Sequence, residues 1–192
     1  RSGNDEIYTL DMTDPGAEVV NISNHDSSDT DPAWSPDGTH IAFVSNRDNN
    51  QEIYVRDITT DSDAINVSLD SGRDFEPVWS PDSKWITYSR QLDSHFKAIF
   101  AFNISNGQKL QLTDGMADAI SPVWDQSGKY LYFLASTDYG LNTGWLDMSS
   151  YDPQITRSLY CLILSANTPS PSLIKSDEEE IKESNSNSVS KG

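Results

Sequence analysis

The sequence is dominated by a repeat whose marker is a tryptophan followed by a tight-turn motif. It occurs as Pro-Ala-Trp-Ser-Pro-Asp-Gly around Trp34, as Pro-Val-Trp-Ser-Pro-Asp-Ser around Trp79, and as the weaker Pro-Val-Trp-Asp-Gln-Ser-Gly around Trp124. The tryptophans are 45 residues apart in both intervals. A fixed period of this length indicates a repeat architecture in which each unit is one supersecondary structure. The rest of the chain can therefore be indexed from these three positions.

Four short strand candidates recur in each repeat. The first contains the tryptophan and ends at the turn, because Pro, Asp and Gly favour tight turns. The others are predicted at 41–44, 86–89 and 131–134 (second), 52–55, 98–101 and 158–161 (third), and 21–23, 66–68 and 111–113 (fourth). Four strands per repeat of about 45 residues predict an all-β fold, in which each blade of a β-propeller is a four-stranded antiparallel sheet.

The repeat divides the chain into about three and a half blades, a fragment of a larger propeller. Residues 1–23 form a half blade, 24–68 and 69–113 form complete blades, and 114–174 form a blade with an insertion at 139–156. The insertion is apolar, so we expect it to fold onto its own blade or to contact a neighbouring domain. Residues 175–192 are rich in Ser, Asn, Glu and Lys, which predicts a disordered linker or tail. The chain opens on Arg1 in mid-repeat, which indicates a piece of a longer protein.

The three prolines before the tryptophans, Pro32, Pro77 and Pro122, indicate where the first strand lies in each blade. A proline has no N–H to donate to a ladder and therefore belongs on an edge strand. The first strand is thus predicted to be the inner edge of its blade, facing the central channel of the propeller.

The charge of the chain limits its partners. The formal net charge is −17, from 13 basic and 30 acidic residues, which argues against nucleic acid and against an anionic membrane surface. No segment reaches the roughly 18 apolar residues of a membrane span. The single cysteine, Cys161, excludes an internal disulfide and lies in an apolar run, so it is predicted to be a small buried hydrophobe rather than a nucleophile.

Catalytic and metal-binding signals are missing from the sequence. The three histidines, His25, His40 and His95, do not recur with the period, and there is no Gly-x-Ser-x-Gly motif. Cys-x-x-Cys and His-Glu-x-x-His spacings are also missing. We therefore predict no catalytic residue, no metal site and no cofactor.

Three aspartates recur just after the second strand, namely Asp48, Asp93 and Asp138. Asp side chains bond to nearby backbone N–H groups in turns, so we interpret these residues as turn-formers. A calcium site would need several further oxygen ligands converging on the same point.

Four further acids mark the entry to the first strand. Asp29 and Asp74 lie five residues before their tryptophans, and Asp31 and Glu76 lie three before; the third repeat has Ala119 and Ser121 at these offsets. In a propeller this segment leads into the innermost strand, so we predict that the four carboxylates rim one mouth of the channel. Such a rim attracts peptide amino groups, basic side chains or a cation. The alternative is that the acids are solvated loop charges that cap backbone groups.

The segment from Pro32 to Phe43, with the following Asn-Arg-Asp and Glu-Ile-Tyr-Val, resembles the propeller repeat shared by TolB, tricorn protease and the prolyl oligopeptidase group. Residues 133–140, 145–151 and 156–160 are similar to the end of the first propeller in tricorn-like peptidases. That resemblance implies a multidomain serine peptidase whose catalytic residues lie in later domains. It therefore assigns this chain a non-catalytic role, guiding or filtering peptides for a catalytic domain absent from the chain.

Two alternatives stay open beside this reading. One is a TolB-like propeller that binds a protein partner at its channel mouth, and the other is the gating propeller of a prolyl oligopeptidase-like enzyme. The implied partners are peptides or other domains of the same chain, and open sheet edges add the hypothesis of self-association. The resemblance favours a periplasmic or exported protein, whereas the lack of disulfides also fits the cytoplasm.

Overall fold

The computed structural model describes residues 3–138 and 155–172, and these ranges contain thirteen β-strands and no helix. All paired strands are antiparallel. In chain order the strands are β1 (Tyr8–Thr9), β2 (Val20–Asn21), β3 (Asp29–Trp34), β4 (His40–Ser45), β5 (Glu52–Asp57), β6 (Ile65–Asn66), β7 (Asp74–Trp79), β8 (Trp85–Gln91), β9 (Lys97–Asn103), β10 (Lys109–Gln111), β11 (Asp118–Trp124), β12 (Tyr130–Ser136) and β13 (Ser158–Ile163).

The sheets follow the strand order that the repeat predicts. Blade 1 is β3-β4-β5-β6, blade 2 is β7-β8-β9-β10, and blade 3 is β11-β12-β13, while β1 and β2 form the half blade. The prediction of an all-β fold built from propeller blades is confirmed. Residues 139–154 of the predicted insertion, the last two residues of the predicted third full repeat (173 and 174), and the tail at 175–192 lie outside the described residues.

The fourth strands end earlier than predicted, because a side-chain hydroxyl replaces a backbone carbonyl as the acceptor for an N–H group of the third strand. In blade 1 the Ser68 hydroxyl accepts the Ile53 N–H at 2.8 Å, in place of a backbone carbonyl. Ser23 and Thr113 do the same for Ile7 and Ile99, both at 2.9 Å. Because this hydroxyl accepts the N–H of the third strand, the regular backbone hydrogen bonds between the third and fourth strands stop at the residue before the Ser or Thr. The hydroxyl still holds the fourth segment against the third strand.

The hydrophobic core lies between blades, where their faces pack against each other. Trp79, Ile86 and Tyr88 of blade 2 pack on an apolar surface of blade 1, which consists of Ala42, Val44, Ile53, Val55 and Val67. A similar cluster joins blades 2 and 3, and another joins the half blade to blade 1. Each blade is therefore stabilised mainly by its neighbours.

The three repeat tryptophans occupy equivalent positions with unequal burial. Trp79 is 5% exposed, and its indole N–H donates to the Ala33 carbonyl of blade 1 at 2.9 Å. The Trp124 indole likewise donates to the Thr87 hydroxyl of blade 2 at 2.9 Å. Trp34 is 50% exposed, because the described half blade in front of it supplies only two strands. Equivalent positions of the repeat therefore differ in burial.

A β-bulge interrupts every first strand at its proline. The register of β3 with β4 shifts between Thr30 and Ala33, and β7 and β11 have the same irregularity. The residue before each proline has a positive φ: 50° at Asp31, 55° at Glu76 and 54° at Ser121. This left-handed conformation is uncommon for residues other than glycine. It is a repeated feature of the segment in which the predicted binding residues lie.

Candidate functional site at the channel mouth

In an antiparallel blade the first strand begins at the same end where the second strand ends and the third begins. We call this end the mouth and define it by the starts of the first strands at Asp29–Asp31, Asp74–Glu76 and Asp118–Ser121. The two ends of the blade 3 insertion are also here, where the Thr156 hydroxyl donates to Asp138 Oδ2 at 2.7 Å. The first strands of neighbouring blades lie side by side, so their mouth residues are close together.

Two of the four predicted rim acids lie inside the protein, which corrects the expectation that all four line an open rim. Asp29 is 2% exposed, and Arg47 Nη2 donates to both of its carboxylate oxygens at 3.1 and 3.2 Å. Asp74 is fully buried, and Arg90 donates to it from Nε at 2.7 Å and from Nη2 at 2.9 Å. Burial raises the pKa of Asp74, and the Arg90 hydrogen bonds oppose that shift.

The third blade contains an equivalent ion pair, which the sequence analysis missed. Asp118 is fully buried, with Oδ2 accepting from Arg157 Nη2 at 2.9 Å and Oδ1 from the Lys97 N–H at 2.9 Å. It lies six residues before Trp124 rather than five, and Arg157 follows the insertion. The sequence signal that could have revealed this pair was an acid one residue away from the position that the repeat predicts. Each complete first strand therefore begins with an aspartate paired to an arginine.

The arginines of the first two pairs, Arg47 and Arg90, also lie over aromatic rings. The Arg47 guanidinium carbon is 4.5 Å from the centre of the Tyr54 ring, and that of Arg90 is 4.8 Å from the centre of the Phe100 ring. Such cation–π contacts hold the guanidinium in place. Asp29, Asp74 and Asp118 are thus components of the blade interior.

The other two predicted acids are exposed at the bulge, but they differ in their partners. Glu76 accepts hydrogen bonds from the Ser121 N–H at 2.8 Å, the Ser121 hydroxyl at 3.3 Å and the Ser89 hydroxyl at 3.2 Å. It thereby links blade 2 to blade 3. Asp31, one methylene shorter, makes no hydrogen bond or ion pair with any residue that the structure describes. Among the residues that the structure describes, Asp31 is therefore an unpaired carboxylate at the mouth.

The histidines are not arranged for proton transfer. His25 Nδ1 accepts the Ser27 N–H at 3.1 Å, and His40 Nδ1 is 2.6 Å from the Thr39 hydroxyl. Among the residues described, no histidine has a hydrogen bond to a carboxylate. Within the same ranges there is no cluster of three or more His, Cys, Asp or Glu side chains that could hold a metal ion. No helix in the described part of the chain is long and apolar enough to cross a bilayer.

The periodic aspartates after the second strands have local partners in two blades. Asp48 accepts from the Tyr54 hydroxyl and from Asn66 Nδ2, and Asp138 accepts from Ser136 and Thr156. In blade 1 these bonds link the residues after the second strand to the third and fourth strands. In blade 3 they link the end of the second strand to the segment before the third strand. The partners of Asp48 are side chains of the third and fourth strands and not nearby backbone N–H groups, so Asp48 links strands instead of forming a turn in the predicted way.

A cleft at the opposite end of blades 2 and 3 was not predicted. It has a volume of about 360 Å³ and is lined by Trp85, Trp124, Leu110 and Leu164, among others. The matching cavity between blades 1 and 2 is about 160 Å³. There, Ser83 occupies the position of Gly128, and its hydroxyl accepts the Asp37 N–H at 3.0 Å, while Val55 occupies that of Ala101. Gly128 and Ala101 are smaller than Ser83 and Val55, whereas Trp85 in the larger cleft is bigger than its equivalent His40.

Two blades of four antiparallel strands and one of three described strands, packed face to face with their first strands side by side, define the chain as part of a β-propeller domain. The chain belongs to the TolB beta propeller domain family, whose sequence pattern matches residues 1–174.

Individual relatives cover smaller parts of the chain. A TolB homologue from Protochlamydia amoebophila is 39% identical over 64 residues, which is 30% of this chain and 13% of that protein. One from Chlorobaculum tepidum is 40% identical over 60 residues, covering 31% of this chain and 13% of that protein. The match therefore spans only a small part of these curated relatives.

Solved structures show the same fold at lower identity. A TolB candidate from Agrobacterium tumefaciens aligns with a TM-score of 0.60 and 22% identity, over 84% of this chain and 54% of that one. Tricorn protease aligns with a TM-score of 0.61 and 15% identity, over 81% of this chain and 15% of that one. At these identities the likeness concerns the fold alone. Tricorn protease is one of several such neighbours.

Proposed function

We propose that this chain is a non-catalytic propeller segment that binds a polypeptide at the mouth, with Asp31 as the contact for an amino group or a basic side chain. One observation carries the proposal. Of the four acids predicted to form the rim, Asp31 is the one that is both exposed and without a partner in the described residues. The others are held by Arg47, by Arg90 or by the Ser121 amide.

The backbone at the mouth supports the same class of ligand. The first strands β3, β7 and β11 pair with a second strand on one side only. On their other edges the Asp29 and Asp74 N–H groups already donate to the Asp5 and Gln51 carbonyls, so only the remaining backbone groups of these edges are open to an extended polypeptide. The net charge of −17 favours basic partners over acidic ones. An amino group at Asp31 would combine both contacts.

Two biological contexts agree with a polypeptide at the mouth. In a tricorn-like peptidase the propeller would guide or filter peptides for a catalytic domain, and the insertion at 139–156 favours this context. In a TolB-like propeller the ligand would be a protein partner. The likeness in fold is equal for both, with TM-scores of 0.61 and 0.60. The range of ligands that the chain binds distinguishes the two contexts. A peptide filter accepts many short basic peptides, whereas a partner-binding site selects one sequence.

The test is titration of a short lysine-rich peptide into the full chain at low salt. An exposed charge pair contributes about 0.2–1 kcal/mol, equivalent to a roughly 1.4- to 5-fold change in affinity. We therefore expect the Asp31→Asn/Glu76→Gln variant to bind the peptide several-fold more weakly than the wild type. Added salt should weaken binding by the wild type and reduce this difference.

The matched control is Glu18→Gln/Asp61→Asn, which removes the same two charges from exposed loops at the opposite end of the blades. This variant should keep the wild-type affinity. Equal affinity in the wild type and both variants would contradict binding at the mouth. Equal losses in both variants would mean that only net charge matters.

A further inference from the structure

The cleft between blades 2 and 3 differs from the matching cavity between blades 1 and 2 in how its aromatic rings meet. At the smaller cavity, His40 of blade 1 contacts Trp79 of blade 2, with ring centres 6.0 Å apart. The residues at the same repeat positions one blade further on are Trp85 and Trp124. Both line the larger cleft, and their rings make no contact with each other. Two indole rings thus lie apart where the equivalent pair of rings closes the smaller cavity.

The separation of the two rings is fixed by the blades that carry them. Trp124 belongs to blade 3, and its indole N–H donates to the Thr87 hydroxyl of blade 2 at 2.9 Å. Trp85 begins the second strand of blade 2 and is partly buried. Below the cleft, the two blades are packed together through the buried side chains of Ile99 and Leu131. Because a close-packed core does not yield without cost, the rings cannot meet unless the blades repack.

The rest of the lining is apolar, apart from a carboxylate and small polar groups. Leu110, Leu112 and Leu164 contribute apolar surface to the cleft. Asp82 lies beside them, and its Oδ1 already accepts two hydrogen bonds from its own turn. Its Oδ2 has no hydrogen bond with any residue that the structure describes. No basic side chain is among the described residues that line the cleft, so its charge is negative.

We propose that this cleft binds a small organic cation, an ammonium group with apolar substituents, between Trp85 and Trp124 and beside Asp82. Tryptophan is the side chain that attracts a cation most strongly through its ring, and quaternary ammonium groups are typical ligands of such aromatic sites. The carboxylate and the net charge of −17 add charge complementarity. A volume of about 360 Å³ is of the size that small-molecule sites have. The cleft is at the opposite end of the blades from Asp31, so this proposal does not rest on the proposed function.

The experiment titrates the full chain with choline and with 3,3-dimethylbutan-1-ol, which has the shape of choline without its charge. The indole N–H signals of the five tryptophans report binding by NMR, and Trp→Phe variants assign them. Choline should shift the signals of Trp85 and Trp124 together, with a single dissociation constant. It should bind at least about fivefold more tightly than the neutral alcohol, because the rings and the carboxylate act on its charge.

The chain itself supplies a variant that narrows the cleft. Ala101→Val/Gly128→Ser introduces the residues that the smaller cavity has at the equivalent positions, Val55 and Ser83. The backbone accepts the serine, since φ is 59° at Ser83 and 69° at Gly128. A Cβ atom at Gly128 would lie 3.9 Å from its nearest neighbour, the Cδ of Pro81. This variant keeps both indoles and the carboxylate, and it should weaken choline binding at least about tenfold.

Trp34→Leu is the matched control, because Trp34 is the same repeat position and is 50% exposed but does not line the cleft. It should bind choline as the wild type does, whereas Trp85→Leu should bind it more weakly. Circular dichroism confirms that each variant keeps its strands. Three results would overturn the proposal: no shift of the Trp85 and Trp124 signals, equal affinity for choline and the alcohol, or unchanged binding by the narrowed variant. The lysine-rich peptide should leave both signals in place, so failure of binding at the mouth is distinguishable from failure here.

Discussion

Asp29 and Asp31 are two residues apart in the first strand of blade 1, yet they belong to different regions of the molecule. Asp29 lies inside the blade and forms an ion pair with Arg47. Asp31 lies on the bulge at the mouth, is exposed and has no partner in the described residues. Asp74 and Glu76 repeat the contrast in blade 2, except that Glu76 bonds to blade 3.

The bulge produces this difference. Regular alternation would place residues two apart on the same face of a strand. Here the positive φ of Asp31 and Glu76 and the register shift after them interrupt the alternation. One acid is therefore turned into the blade and the other towards the mouth. The inner acids hold the blade together, whereas the outer acids differ: Glu76 links blade 2 to blade 3, and Asp31 is exposed without a partner in the described residues.

The largest expected effect comes from removing the cation of an inner pair. Arg90→Met leaves the fully buried Asp74 without its partner, which should lower the free energy of unfolding by about 3–5 kcal/mol. Urea denaturation measures this loss. The double variant Arg90→Met/Asp74→Asn should lose less, because no buried charge is left unpaired. A loss below about 1 kcal/mol in the single variant would show that the pair is not structural.

Acidification should have the next effect, through the turn carboxylates that accept hydrogen bonds. The Ser35 hydroxyl and the Thr39 N–H and hydroxyl lower the pKa of Asp37 from 3.8 to about 2. A carboxyl with a lowered pKa stabilises the fold above its unfolded value and loses that contribution as pH falls through its folded value. The melting temperature should therefore fall between about pH 4 and pH 2. Asp37→Asn should show a shallower fall in that window; an identical profile would exclude this aspartate as a contributor.

A smaller effect is expected at the link between blades 2 and 3. Glu76→Gln keeps the shape of the side chain but removes the charge from the hydrogen bonds to Ser121 and Ser89. Because Glu76 is exposed, we expect a loss of about 1 kcal/mol in the free energy of unfolding. No loss would place Glu76 in the same class as Asp31.

The smallest effect on stability is expected at Asp31. Asp31→Asn removes no contact, so the free energy of unfolding should change by no more than about 0.5 kcal/mol in either direction. A loss comparable to that of Arg90→Met would show that this carboxylate has a structural partner, and the contrast between the two regions would fail.

The fold was predictable because its signal is periodic. Spacings of 45 residues between Trp34, Trp79 and Trp124 were sufficient to place four strands per blade and to assign the fold class. The burial of each tryptophan was not predictable from its own repeat. Trp79 is 5% exposed and Trp34 is 50% exposed although their repeats are nearly identical, because the burial of each ring depends on the segments packed over it.

The candidate site was only partly predictable, because its arginines occupy similar places in the three blades but lie at different offsets from the tryptophan in the sequence. Arg47 follows β4, Arg90 lies within β8, and Arg157 precedes β13. A search at fixed offsets from the tryptophan therefore found the acids of blades 1 and 2 but neither their cations nor Asp118. The bulge could not be predicted from the sequence either, since neither Asp31 nor Glu76 is a residue type that indicates a positive φ.

The most direct test compares Asp29→Asn with Asp31→Asn, the same chemical change two residues apart, by thermal unfolding and by binding of a lysine-rich peptide. The account predicts that Asp29→Asn loses stability, because Arg47 loses its charged partner, but binds the peptide as the wild type does while folded. It predicts that Asp31→Asn keeps its stability and binds the peptide more weakly. Wild-type binding by Asp31→Asn, or weakened binding by a folded Asp29→Asn, would contradict the division between structural and binding acids.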